Sequence, residues 1–322
     1  MIIAKYQIYG SFATAAITTS TDFEIISTGI LILSSLIDAS RSSAEFEICF
    51  AKIIEIITTV LPTQALPSTI EKQFWNSMTL LISDLVPSEL ISAILHYLTI
   101  PDLDSQKSIV IFESLRTIMQ CFSFEQVVGI LTQAIVLSIK HFEVYQELPT
   151  DILSIFDSAF NYFPHAQLYE FTKAKIAELS QVNIVVTILL LSPLVSYVYD
   201  KLIDEINIVI EPLKFGFQSN TLIIIEACQD VIENMSEHNQ LIGSCQESLF
   251  PLIAPLLVSE DSEIRNSCYE SLLSLFDSSC HKSISINYLT SLLTIKTNIN
   301  ESNYEQYLKL IGEVIANSEN IT

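Results

Sequence analysis

Carboxylates at Glu226, Asp230, Glu233 and Glu237 follow one another at steps of four, three and four residues, which on an α-helix makes a single stripe. Ile224, Cys228, Val231, Ile232 and Met235 fall on the opposite side of that helix. Charges of one sign at this spacing weaken an isolated helix, so the stripe is either tolerated or used. Its use would be to attract Lys- or Arg-rich segments. About forty residues on, Asn266, Glu270, Leu273 and Asp277 hold the corresponding positions, so Glu270 and Asp277 would widen the stripe into a patch. In a chain with 37 Asp and Glu against 15 Lys and Arg, an ordinary solvated face is the competing reading.

Other reactive residue types do not form chemical patterns. The histidines (His96, His141, His165, His238, His281) are scattered, and each is expected at a helix end or on the surface. The cysteines (Cys49, Cys121, Cys228, Cys245, Cys268, Cys280) include no Cys-x-x-Cys pair. They read as buried thiols of a reducing compartment, with Cys228 and Cys268 at equivalent places where close helix packing favours small side chains. Cys280 and His281 are adjacent, but helical neighbours point about 100° apart and do not make a thiolate–imidazole couple. Metal ligands would need short fixed spacings such as His-Glu-x-x-His, and catalysis or nucleotide binding would call for a Gly-x-Ser-x-Gly elbow or a Gly-rich loop; none occurs. The expectation is a non-enzymatic protein without cofactor or metal.

The elements that must position the stripe follow from composition and rhythm. Half of the 322 residues are hydrophobic and only 16% are charged, so a large core can form. A net charge of -22 would repel a phosphate backbone, which excludes nucleic acid as an expected partner. Six glycines are too few for the turns of nucleotide-binding α/β folds or β-barrels. Apolar residues recur at helical spacing almost throughout, as in Phe46, Cys49, Phe50, Ile53, Ile54 and Ile57. Breaks at Pro62 to Pro67, Pro87, Pro101 to Asp104, Pro149, Pro164, Pro193, Gln218 to Asn220, Ser236 to Asn239, Ser259 to Ser262 and Lys282 to Ser285 divide the chain into about fifteen helices. The charge-free stretch between Glu178 and Asp200 is long enough to span a bilayer, but Gln181, Asn183, Ser192 and Pro193 interrupt it. Ser192 and Pro193 read as the cap and first residue of a new helix. A membrane-embedded bundle is thus the minor alternative to helices buried between packed layers, and no membrane insertion is expected.

Residues 249–277 carry two amphipathic helices around the polar turn Ser259, Glu260, Asp261, Ser262. Pro255 in the first helix, Asp261 in the turn and Ile264-Arg265 opening the second resemble the HEAT repeat, with small Ser267 and Cys268 where that family packs alanine. In this reading Arg265 pairs with Asp261 or with a turn carboxylate of the next repeat. Residues 206–235 look similar: Pro212, Leu213, Ala227, Cys228, Ile232 and Met235 precede Pro255, Leu256, Ser267, Cys268, Leu272 and Leu275 by about 40 to 43 residues. A more divergent pair covers Ser88 to Phe122, with Pro101, Asp102 and Asp104 in its turn. The resemblance implies an all-α, α-α superhelix, a HEAT-like helical-repeat solenoid in which 1–322 is a single continuous array, either a portion of a longer one or a reduced relative, with 206–235 and 249–277 its clearest repeats.

Strong acidity, scarce glycine and degenerate repeats make the chain most similar, among HEAT proteins, to the importin-β/exportin (karyopherin-β) class of nuclear transport receptors. That resemblance implies a protein-binding scaffold of the cytoplasm and nucleus, in nucleocytoplasmic transport, whose partners are basic cargo segments or the Ran-like small GTPases. It also implies that second helices line the concave face, which would put Glu226, Asp230, Glu233, Glu237, Glu270 and Asp277 there. A HEAT scaffold subunit of a phosphatase or vesicle-coat complex is the alternative of the same class.

Overall fold

The computed structural model describes residues 2–19, 23–39, 48, 51–62, 69–76, 88–100, 103–276, 283–284, 307–309, 311–312 and 320–321. Phe46, Cys49, Phe50, Pro67, Pro87, Pro101, Asp102, Asp277, Cys280, His281, Lys282 and Ser285, named above, lie outside them. The chain divides into two compact units, Met1–Phe163 and Pro164–Thr322.

The first unit opens with the hairpin of α1 (Ile2–Thr19) and α2 (Phe23–Ala39). These helices touch so closely that a Cβ on Gly29 would stand 2.7 Å from Ile17 Cγ1 and 2.8 Å from the Ala13 carbonyl oxygen. Then come α3 (51–60), whose end at Ile56–Val60 is π-helical, and α4 (69–76). Next are α5 (Ser88–Leu98), α6 (Ser105–Thr117), α7 (Phe124–Tyr145) and the short α8 (Thr150–Leu153) and α9 (Ile155–Tyr162). Successive neighbours α1, α3, α5 and α7 pack side by side in one layer; α6 packs on α8 and α9 in the other. The start of α7 is fixed by a capping box in which Ser123 and Gln126 satisfy each other's backbone N–H, and its end by Gln146 at φ 55.

The second unit contains α10 (His165–Leu179), α11 (Ile184–Leu189), α12 (Leu191–Asp204), α13 (Asn207–Gln218), α14 (Leu222–Ser236), α15 (Asn239–Ile253) with its 3-10 extension Ala254–Val258, and α16 (Ser262–Phe276). From α13 on, the layering is clear: α13 packs beside α15, α14 beside α16, and each hairpin closes on itself. Apart from a two-residue parallel pairing of Ser283–Ile284 with Asn320–Ile321, the secondary structure among the described residues is helical. The fold is the all-α helical-repeat solenoid that the HEAT resemblance implies.

Turn chemistry agrees with the expected breaks at 218–220, 236–239 and 259–262. Asn220 takes φ 51, a left-handed conformation that asparagine tolerates, so a three-residue turn closes without glycine. The break in 178–200 is displaced. Asn183 caps α11 by accepting from the Val186 N–H at 3.0 Å, and the next helix starts at Leu191, so Ser192 and Pro193 lie inside its first turn instead of capping it. Pro193 lacks an N–H where none is needed, which is why it fits there.

Two described helices, Phe124–Tyr145 and Asn239–Val258, are long and apolar enough to cross a membrane by length and composition. Within the fold 44% and 50% of their apolar windows are buried. That is the one-sided burial of a repeat helix, and each fully covered Leu, Ile or Phe contributes about 1.5–3 kcal/mol to it.

Candidate functional site

The apolar face of α14 is Ile224, Ile225, Ala227, Cys228, Val231, Ile232 and Met235, all buried. Its contact with α13 is tight: a Cβ on Gly216 would fall 2.3 Å from Cys228 Sγ and 2.7 Å from Ile188 Cδ1. A small residue at 216 therefore sets how closely the two helices approach. Ser267, Cys268, Leu272 and Leu275 of α16 are buried at the matching places, so the forty-residue correspondence read from the sequence is a correspondence of packing. Burial pushes the thiols of Cys245 and Cys268 up to about 12 and that of Cys228 well above its usual range, so all three are packing groups.

With that face inward, Glu226, Asp230, Glu233 and Glu237 are all exposed, and Glu270 is exposed on α16 next to it. Asp277 lies outside the described residues. Among the described residues none of these five carboxylates has a Lys or Arg within ion-pair distance; Glu233 accepts one hydrogen bond, from Gln229 Nε2 at 2.7 Å. Asp230 is held above its ordinary carboxyl range by partial desolvation first, then by the negative charges of Glu233 and Glu226. The electrostatic content of the surface is a line of carboxylates whose mutual repulsion the cations among the described residues leave unrelieved.

The supports of the stripe are local. Asn234, beside it, donates from Nδ2 to Ser192 Oγ at 2.8 Å and fixes α14 to α12. His238 stacks on Tyr199 with ring centroids 4.0 Å apart and planes 11° from parallel, pinning the chain at the exit of α14. At the next turn Asp261 accepts from the backbone N–H of Glu263 at 2.8 Å and caps α16. Arg265 Nη1 donates to the carbonyl oxygens of Ser259 at 2.6 Å and Glu260 at 2.9 Å. These two acceptors are backbone atoms of its own turn, so Arg265 clamps the turn that leads into α16.

Two features escaped the sequence. His141 stands in the last turn of α7 as expected but is buried, 3% exposed, against Tyr145 and 3.9 Å from Glu147. In the first unit, polar side chains reach across helix pairs at one recurring spacing. Lys72 meets Glu113 at 3.1 Å, Lys107 meets Glu71 at 3.6 Å, Arg116 donates to Ser154 Oγ at 2.7 Å, Lys140 to the Leu103 carbonyl oxygen at 2.6 Å, and the Tyr145 hydroxyl to Asp104 at 3.0 Å. Lys140 and Tyr145 thus hold the divergent turn around Leu103 and Asp104 from the next pair. A search of the sequence for polar residues about 36 to 41 apart would have pointed to these ties. No group of three or more His, Cys, Asp or Glu among the described residues is placed to hold a metal ion.

Compared with solved structures, the chain is similar to Kap121p, with a TM-score of 0.61 and 13% identity over 95% of this chain and 33% of that one. It is also similar to a Kap121p variant with three acidic residues changed to lysine, with a TM-score of 0.60 and 11% identity over 97% of this chain. The fold is a karyopherin-like HEAT-repeat solenoid. The chain spans about a third of the length of these karyopherin structures. No protein-family model and no curated protein matches the sequence. At this identity the likeness is one of fold, and the HEAT features of α15–α16, the Asp261 cap and the Arg265 clamp, stand on this chain's own geometry.

Proposed function

We propose that the protein is a non-enzymatic HEAT scaffold whose layer of α14 and α16 binds Lys/Arg-rich segments of partner proteins. The observation that carries this reading is the set of five exposed carboxylates, Glu226, Asp230, Glu233, Glu237 and Glu270, on two helices packed side by side, with no Lys or Arg among the described residues in ion-pair contact with them. Asp277 belongs to the proposed patch by its repeat position. A polybasic segment would neutralise several of these charges at once and relieve the repulsion from Glu233 and Glu226 that adds to desolvation in lifting Asp230. The karyopherin-like fold supports placing the protein in nucleocytoplasmic transport, in the cytoplasm and nucleus, with basic cargo or a Ran-like GTPase as its partner. Cross-ties spaced 36 to 42 residues apart within both units support reading 1–322 as one continuous array.

The test is titration of a fluorescent Lys/Arg-rich peptide into the full chain. Binding should weaken steeply with salt, and changing Asp230 and Glu270 together to Lys should lower affinity by about tenfold or more while leaving helicity unchanged. Equal binding by both proteins rejects the assignment of the site. A pull-down comparing Ran loaded with GTP and with GDP decides the GTPase part separately.

A further inference from the structure

Glu71 occupies a position the helical pattern reserves for an apolar residue. It shares the inward face of α4 with Phe74 and Trp75, at i+3 and i+4, and is only 2% exposed. Its Oε1 is buried without a hydrogen-bond partner, while Oε2 faces Lys107 Nζ of α6 at 3.6 Å, longer than a closed charge-assisted bond. The indole N–H of Trp75 lies near enough to lower the proton affinity of Glu71 without closing a hydrogen bond of standard geometry. Tyr97 of α5 packs on Trp75 with ring centroids 6.0 Å apart. Among the described residues the other charge acting on the group is Asp104, just before α6; the exposed pair Lys72–Glu113 joins the same two helices. A buried carboxylate with half its lone pairs unmet and one partly exposed cation is a costly arrangement in its ionised form.

We propose that Glu71 and Lys107 form a proton-operated pin between α4 and α6, closed when Glu71 is ionised and opened when it takes up a proton. Uptake neutralises the carboxyl inside its apolar surroundings and frees Lys107 to solvent; the second tie between the same helices, Lys72 to Glu113, stays in place and keeps them in register. Burial raises the proton affinity of Glu71, and the attraction of Lys107 opposes this only in part. The sign follows from linkage. A carboxyl with folded pKa raised above the unfolded value contributes stability that is full below the unfolded pKa and lost as pH rises through the folded one. The open, protonated pin is therefore the more stable state, and ionisation at higher pH closes it under strain.

Trp75 is the chain's one tryptophan, fully buried one helical turn from Glu71, so its emission reports the pin directly. Burial, with the charge of Glu71, keeps the Tyr97 hydroxyl far above the window of the experiment, so tyrosinate does not enter the signal. In the full chain, titrated from about pH 4 to 9, Trp75 emission should shift with a midpoint above the ordinary carboxyl range while far-ultraviolet circular dichroism stays constant. Glu71→Gln should abolish that shift. Lys107→Met, which keeps the carboxyl and removes its cation, should move the midpoint upward, giving a readout that does not depend on the first variant folding. A wild-type emission that is flat over this range, or a midpoint unmoved by Lys107→Met, overturns the proposal.

Discussion

Residues 69–163 and 207–276 are both stacked helix pairs, but they hold their neighbours by different means. The first stretch has four cations, Lys72, Lys107, Arg116 and Lys140, and every one reaches a partner 36 to 41 residues away. In the second there are two, Lys214 and Arg265, against ten carboxylates, and Arg265 is turned back onto its own turn. Register there comes from fit, Gly216 against Cys228 and a line of small and apolar residues along α14 and α16, joined by neutral ties such as Asn234 to Ser192. The difference teaches where charge is committed. In the first stretch every cation is committed to a tie, two of them to Glu71 and Glu113 and two to a hydroxyl and a carbonyl; in the second the carboxylates of α14 have no such partner among the described residues and are open to an outside cation.

The largest effects should come from glycine, and the two regions should answer with opposite signs. Gly216→Val puts atoms where Cys228 Sγ and Ile188 already stand, and is expected to destabilise the second unit by about 3 kcal/mol, the upper end for overpacking. On α7, a Cβ at Gly129 would lie 3.6 Å from Leu95 Cδ2, an ordinary contact, so Gly129→Ala should stabilise by about 0.5–1 kcal/mol through helix propensity. Denaturant unfolding monitored by circular dichroism reads both. Two changes of the same sign would mean that close approach does not distinguish the regions.

The fold was legible because apolar spacing and turn residues point the same way along most of the chain. Gln218–Asn220, Ser236–Asn239 and Ser259–Ser262 are turns in both sequence and structure, since polar and left-handed-tolerant residues gather where helices stop. The displaced start of α12 shows the weak point: proline is equally content anywhere in a first turn, so Pro193 fixes a helix start only to within a few residues. For the stripe, the carboxylates of α14 were readable because period and burial lie within one helix, and Glu270 on α16 through the forty-residue repeat. The ties carried only their 36- to 41-residue spacing as a signal, since Lys107 and Glu71, or Arg116 and Ser154, look like unrelated surface residues until the fold brings them together. Glu71 did carry a signal, a carboxylate one turn before Trp75 on an apolar face.

Smaller effects should come from the ties themselves. Arg116→Met and Lys140→Met each remove a charge-assisted bond to a partly buried acceptor and are expected to cost about 1–2 kcal/mol in the first unit. Lys214→Met in the second region should stay within about 0.5 kcal/mol, as for a surface substitution away from such bonds. Lys72→Met, at an exposed pair, should also stay below about 0.5 kcal/mol. Similar losses for Arg116→Met and Lys214→Met would remove the contrast between committed and uncommitted charge.

The smallest effect tests the repulsion itself. Asp230 is raised by partial desolvation and by Glu233 and Glu226, so its ionised form is the disfavoured one in the folded chain. The stability associated with this group is complete below the unfolded carboxyl pKa and is lost as pH rises through the folded value. Asp230→Asn should therefore stabilise at neutral pH by about a few tenths of a kcal/mol after solvent screening, and the gain should vanish as pH falls and the wild-type carboxyl becomes neutral. Added salt should shrink it as well, because the neighbouring charges act through water. A gain of the same size at every pH would trace to helix propensity and not to charge. It would leave the α14 stripe as a tolerated surface and take away the reason for a basic segment to relieve it.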